Sequence, residues 1–365
     1  MGSTPGRGRR TTPVAGTLAG LATYGLVVLA LVTPVPYMVQ MPGPVVNTIP
    51  AGDNVVEVSG TESFAASGQL DLLTVSVAGG PGRDLRADQI IGSVIDPTDT
   101  VVPEEAFYPL DTTREQVTAT NEAQMASSQD LAVAAALGEL GIDHPLSVTV
   151  QHIESDSPAA GVLEVGDRLL TVDGTDLTAG DDGARLVAST VAESAGAPVE
   201  LGIERRGSEQ TVEVVPEASA DGHRIGIVMD VGYDFPFEVR FDVADEIGGP
   251  SAGTIFALAL IDALTEGDLT GGVPIAGTGS IDAAGTVSPI GGARQKVVAA
   301  ATTTEDRAAA EHFLSPTDNC AEVVDAAAAF PDLTVVRVDD LPGARVAVES
   351  IATGETDALP ACGDA

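Results

Sequence analysis

Lysine is almost missing from this chain. Of 17 basic residues sixteen are arginines, and the single lysine is Lys296. Arginine can carry positive charge wherever lysine can, but a protein cannot deprotonate it, so the one retained lysine reads as a position that needs a neutral amine. Cations of any kind are scarce beside 54 acidic residues, and the formal net charge is −37. That balance argues against nucleic acid or anionic head groups as partners of the soluble part, since both are polyanions. Only two cysteines occur, Cys320 and Cys362, both late in the chain, and outside the cytoplasm they are candidates for a disulfide. The four histidines (His144, His152, His223 and His312) show neither an HExxH pattern nor zinc-ligand spacing, so no metal and no cofactor is expected. A nucleotide-binding Gly-Lys-Ser/Thr loop is absent too, because the only lysine follows Gln295, which excludes an ATPase of that type and a nucleotide partner.

What is present fits several domains. With 365 residues, 44% of them hydrophobic, the chain can build two or three cores. Residues 1–13 carry Arg7, Arg9 and Arg10 and no acid; Val14–Thr33 then runs apolar for 20 residues before Pro34 and Pro36. This predicts one membrane-spanning helix over 14–33 with the arginines inside, a cytoplasmic N-terminus and an extracytoplasmic remainder. A cleaved signal peptide, with Val28 and Ala30 at its cleavage site, is the competing reading, and the length of the run favours the uncleaved anchor. Residues 34–123 read as a separate extracytoplasmic region of short β-type runs, Val55–Val58 and Leu70–Val77 among them, with no motif. A helical pattern over Glu115–Leu140 leads into the next domain, expected at 124–216.

That domain reads as the strand Ser147–Ile153, a turn at Glu154–Gly161, a second strand Arg168–Gly174, a helix Asp182–Ser194 and two closing strands. The stretch SPAAGVLEVGDRLLTVDGTDL resembles bacterial protease-associated PDZ domains. The resemblance implies peptide capture by strand addition between the 147–153 strand and the 182–194 helix, with Gly141 and Ile142 in the loop for a terminal carboxylate and Val148 and Val150 on the receiving strand.

After Pro216 the pattern turns α/β over 217–350, with strands at Arg224–Val231 and Phe237–Val243, and a polar tail follows at 351–365, loose apart from Cys362, whose expected disulfide with Cys320 ties it to this domain. Gly-Gly-Pro at 248–250 precedes Ser251 and an apolar helical run Ala252–Leu264, which puts Ser251 in the first turn of a helix where free N–H groups can hold an oxyanion. Gly249, Pro250 and Ala252 form that helix entry. A second helix starting near Gly292 carries Lys296. A serine beside a lysine that must be neutral is the pattern of a Ser–Lys dyad.

From about Gly222 to Val348 the chain resembles the proteolytic domain of Lon-family serine peptidases, at Pro250, Ser251, Ala252 and Gly253 and again at Gly291, Gly292 and Lys296. The intervening GTGSIDAAGTVSPIGG resembles the family's hairpin, with Thr278 near the lysine as possible dyad support. One departure is Gly248, three before the serine, where ATP-dependent Lon enzymes commonly carry Asp. Singly, GGPSAG reads as a tight helix entry and Lys296 as a solvated cation; together, in the flanking match, they read as a site. The expected whole is an α+β multidomain chain: transmembrane helix, PDZ-like β-sandwich with a helix, and α/β Lon-type domain. Such a chain, similar to membrane-anchored bacterial PDZ/Lon-type proteases, would be an ATP-independent serine endopeptidase acting on exported or membrane-associated proteins, with a homo-oligomer as one assembly open to it. The rival is a PDZ adaptor on a Lon-like scaffold that binds without cutting.

Overall fold

The computed structural model describes residues 13–49, 55–65, 67–178, 183–220, 222–244 and 247–363, with side chains of 13–16 left aside. Arg7, Arg9, Arg10 and Asp182 lie outside these residues. Helix α1 spans Pro13–Val32, the segment expected to span a membrane. Among the described residues, however, no helix is long and apolar enough to cross one.

The region expected to stand apart at 34–123 belongs to the C-terminal fold. Strand β1 (Tyr37–Asn47) pairs antiparallel with β3 (Gln69–Ala78), while β2 (Val56–Ser59) pairs with a strand nearly 200 residues away. Helix α2 (Ala87–Ile95) and β4 (Thr100–Pro103) follow, with β4 on the outer edge of β1. In β3 the consecutive Leu70, Asp71, Leu72 and Leu73 are all buried, as a strand covered on both faces requires. Such a run announces a central strand but not its partners, which is why the sequence placed Leu70–Val77 among the runs of the separate 34–123 region.

Helix α3 (Arg114–Glu139) begins at a capping box in which Thr113 accepts from Gln116 N–H and Gln116 accepts from Thr113 N–H. It ends in a Schellman turn: Gly141 is left-handed (φ 68°), its N–H bonds to Gly138 O, and the Ile142 N–H bonds to Leu137 O at 2.8 Å. Met125, Ala132, Val133 and Ala135–Leu137 of α3 share one core with the helix after Ser251, so α3 packs with the C-terminal fold and the second domain's own core starts later than residue 124.

The inserted domain is built on β5 (Leu146–Ile153), β6 (Arg168–Val172), helix α4 (Gly183–Glu193), β7 (Val199–Arg205), β8 (Ser208–Val214) and β9 (Ile227–Tyr233). Its sheet runs β8-β7-β6-β5-β9 and closes a core of its own around Val148, Val150, Leu169, Leu201 and Ile203. Of residues 224–231, expected to open the proteolytic domain, Ile227–Val231 instead supply most of β9, which pairs antiparallel with β5. The boundary expected at 217 therefore falls after Tyr233.

The chain then returns to the first fold. Strand β10 (Glu238–Phe241) pairs with β2, and helix α5 (Gly253–Leu264) is buried throughout, Gly253 to Ala263, with the Phe256 ring tilted against Phe241 at 4.4 Å between centroids. Strand β11 (Pro274–Gly277), helix α6 (Ala293–Ala300), β12 (His312–Pro316), helix α7 (Cys320–Ala327), β13 (Thr334–Val338) and helix α8 (Leu341–Thr353) complete it. The resulting sheet has the order β13-β12-β11-β3-β1-β4, parallel from β13 to β3 and antiparallel beyond. The tail is tied to this fold by the disulfide expected from the two cysteines, Cys320–Cys362, and is held further by the Arg337 N–H to Pro360 O bond and the bridge of Ala361 to Val336.

Candidate active site

Strand β11 leaves the sheet at Gly277, whose partner on β3 is Leu72; beyond that point β3 is paired only with β1 among the described residues. The gap opens a cleft of about 710 Å³, walled by β3 from Leu72 to Val77 and by Asn121, Gln124 and Met125 of α3, with Ser251 and Lys296 at its floor.

Each floor residue is held by a local device. Helix α5 begins at Gly253, not at Ser251 as the apolar run suggested, so Ser251 lies two residues before the helix in a turn. The proline and glycines before it stop the helix from extending backwards. Lys296 sits in the first turn of α6, whose cap Gly292 has φ 68°; a Cβ there would meet Val75 at 2.7 Å, so only glycine lets α6 start this close to β3. Asn319 grips Ile290 on both its N–H and its C=O, at 2.9 Å each, and Gln295 donates to Thr100 at 2.7 Å, which together fix the entry and face of α6.

These devices bring Lys296 Nζ to 2.7 Å from Ser251 Oγ and 2.8 Å from Thr278 Oγ1. Thr278 Oγ1 donates to Ser251 O at 3.0 Å. Lys296 is 2% exposed, and burial pushes its amine down from 10.5 to about 7. No carboxylate pairs with it among the described residues, so desolvation of the ammonium is unopposed. An amine that is half neutral near pH 7 and in hydrogen-bond reach of a hydroxyl can remove that hydroxyl's proton.

Of the helix-entry residues, Gly249 spends its N–H on Asn121 O at 3.3 Å and Pro250 has none to give. The N–H groups of Ser251 and Ala252 meet no acceptor among the described residues. Sequence reading missed Asn121 and Ser128 of α3, the latter donating to Pro250 O at 3.1 Å. No spacing signal could reveal them, since they lie more than 120 positions from the loop they hold.

The peptide-binding residues expected in the inserted domain are corrected. Val148 and Val150 are wholly buried, and β5 is flanked by β6 and β9, so no edge of that strand is open. Gly141 and Ile142 form the stop of α3 described above, not a carboxylate loop. The edge strands of this sheet are β8 and β9, and β9, which lies beyond β5, carries half-exposed Val228 and Val231.

Family models match two stretches of the chain, and the bounds of the first differ from the structural domain: it takes in most of α3 and stops before β9. Residues 118–215 match the family model of the PDZ domain, and residues 243–343 match that of the Lon protease (S16) C-terminal proteolytic domain. Among solved structures, the chain is similar to the PDZ domain of the SdrC-like protein from Listeria innocua, at 22% identity over 23% of this chain and 92% of that one, with a TM-score of 0.20. A second likeness is a solution structure from Geobacillus thermodenitrificans, at 27% identity over 22% of this chain and 88% of that one, with a TM-score of 0.18. No curated protein matches the chain. The chain thus carries a PDZ domain followed by the C-terminal proteolytic domain of a Lon-type (S16) serine peptidase.

Proposed function

We propose that this protein is a membrane-anchored serine endopeptidase that works without ATP through a Ser251–Lys296 dyad. The observation that carries the reading is the 2.7 Å approach of Lys296 Nζ to Ser251 Oγ by an amine whose burial brings it to about 7. In the neutral state the Lys296 lone pair takes the Ser251 proton as Oγ attacks the scissile carbonyl. The oxyanion that forms is received by the Ser251 and Ala252 N–H groups, and Lys296 then returns the proton to the leaving amine. Water repeats the cycle on the acyl-enzyme.

The open side of β3 from Leu73 to Ala78 runs beside Ser251, so a substrate segment would enter extended, as an added strand, which favours unfolded or loop segments of proteins. The β9 edge of the PDZ domain would hold a second stretch of the same polypeptide or its C-terminus. Helix α1, behind an arginine-bearing N-terminus, is read as the anchor, with everything after Thr33 extracytoplasmic. Exported or membrane-associated proteins are then the accessible substrates, and the disulfide fits that side of the membrane.

The test is peptide hydrolysis and fluorophosphonate labelling by wild type, Ser251→Ala and Lys296→Arg, with melting curves as the folding control. Arginine keeps the charge but cannot become neutral, so both variants are expected to lose cleavage alike, because the two residues act as one unit. Cleavage by folded Lys296→Arg would remove the dyad; no cleavage and no label on wild-type Ser251 would leave the PDZ adaptor reading.

A further inference from the structure

The four-residue run that presents Ser251 is fastened from two sides. Helix α3 holds it at Gly249, whose N–H donates to Asn121 O, and at Pro250, whose C=O accepts from Ser128 Oγ at 3.1 Å. The β11 exit holds it at the Ser251 C=O, which accepts from Thr278 Oγ1 at 3.0 Å and from Gly279 N–H at 3.1 Å. A trans peptide is planar, with its C=O and its following N–H pointing in opposite directions. Fixing the Pro250 oxygen therefore fixes the Ser251 N–H, and fixing the Ser251 oxygen fixes the Ala252 N–H.

The Pro250 carbonyl has one other neighbour, Gly253 N–H at 3.5 Å, beyond the usual range for a strong N–H···O bond. The Ser128 hydroxyl is thus its main restraint. Serine inside a helix commonly bonds back to its own helix four residues earlier; Ser128, 2% exposed, bonds instead across to the loop 122 positions away.

We infer that Ser128 is a positioning residue: its hydroxyl orients the Pro250–Ser251 peptide so that the Ser251 N–H faces the cleft as an oxyanion donor. It touches neither substrate nor the reacting atoms. This rests on the reading of Ser251 as nucleophile, and it names a residue on the helix that leads into the PDZ domain as a determinant of how well that site works.

The experiment compares wild type, Ser128→Ala and Ser128→Thr in kcat and KM on a fluorogenic peptide, in the dissociation constant of a peptide boronate, and in Tm. The boronate forms a tetrahedral adduct on Ser251 and so reports the oxyanion site. Because removal of a whole donor lowers kcat by 10²–10³, its misorientation in Ser128→Ala is expected to lower kcat about 10- to 100-fold, with KM changed by less than about twofold. Boronate binding should weaken by a similar factor, while the pH midpoint of kcat stays at the wild-type value because Lys296 is not in contact with Ser128. Ser128→Thr keeps the hydroxyl and should recover most of the loss; if its extra methyl lowers Tm, Ser128→Cys, a weaker donor of similar size, should fall between Ser128→Ala and wild type. Wild-type kcat and boronate affinity in Ser128→Ala would overturn the inference, as would a loss that follows Tm and KM alone. A wild type that neither hydrolyses peptide nor binds boronate would instead bring down the reading of Ser251, and the role of Ser128 with it.

Discussion

The Thr278 hydroxyl donates its one hydrogen to the Ser251 carbonyl, so toward Lys296, 2.8 Å away, it can only accept. It therefore takes one N–H of the amine and turns the remaining lone pair toward Ser251 Oγ. Thr278→Val, of similar size without the acceptor, should reduce kcat by roughly 10- to 100-fold, the range in which a misaligned general base falls. Thr278→Ser should retain most activity. Steady-state kinetics of the three proteins checks this, and an unimpaired Thr278→Val would show that the amine is aligned without it.

Activity should rise with pH through about 7, since only the neutral Lys296 amine can accept a proton. The stability consequence has the opposite side. The folded-state value lies below the unfolded 10.5, so the group costs nothing above pH 10.5 and its full amount once pH falls below about 7. Three and a half units correspond to a ceiling of roughly 5 kcal/mol. Lys296→Met should therefore gain stability over wild type as pH is lowered from 10.5 to 7, as measured by urea unfolding at both ends. A constant difference would mean that the lysine is not buried as described.

Asp262, on the buried helix α5, accepts from Leu269 N–H at 2.7 Å with one oxygen and leaves the other without a partner. Burial first, and Asp268 second, raise it from 3.8 to about 6. Its contribution is present below pH 3.8 and lost as pH rises through about 6, so at pH 8 the ionised carboxylate is a cost. Relative to wild type, Asp262→Asn should improve by up to roughly 3 kcal/mol between pH 4 and pH 8, whatever the fixed effect of the amide itself. Thermal melts across that range decide it.

The Cys320–Cys362 disulfide closes a loop with a sequence separation of 42 and pins the tail beside β13. Chain-entropy reasoning gives about 4 kcal/mol for such a loop. Reduction, or Cys362→Ser, should lower Tm while leaving the Ser251–Lys296 approach intact, because the tail does not line the cleft. Free thiols in protein purified without reductant from an oxidising compartment would refute the bond.

Legibility divided along a physical line. The single lysine and the Gly-Gly-Pro before Ser251 were readable because each is a local demand, a residue that can be neutral and a helix entry; the left-handed cap at Gly292 appeared only in the structure. Strand and helix periods were readable for the same reason. Membership was not. Leu70–Leu73 shows that β3 is central but not that its neighbour is β11, and residues 224–231 read as a strand without showing that β5 is its partner. The α3 pattern likewise pointed forward to the PDZ domain, whereas its buried face belongs to α5.

What the sequence by itself determined, then, is which residues could do chemistry and which stretches form helices and strands, because these follow from side-chain identity and backbone preference over a few positions. Only the tertiary structure decided that the PDZ domain is inserted between the two halves of the proteolytic sheet, that β9 rather than β5 carries an open edge, and that Ser128 and Asn121 hold the loop of Ser251. Those outcomes depend on pairing and close packing between segments far apart in the chain, up to the 236 positions between Asp71 and Arg307, where many partners satisfy the same local pattern and the choice is made by burying all of them at once.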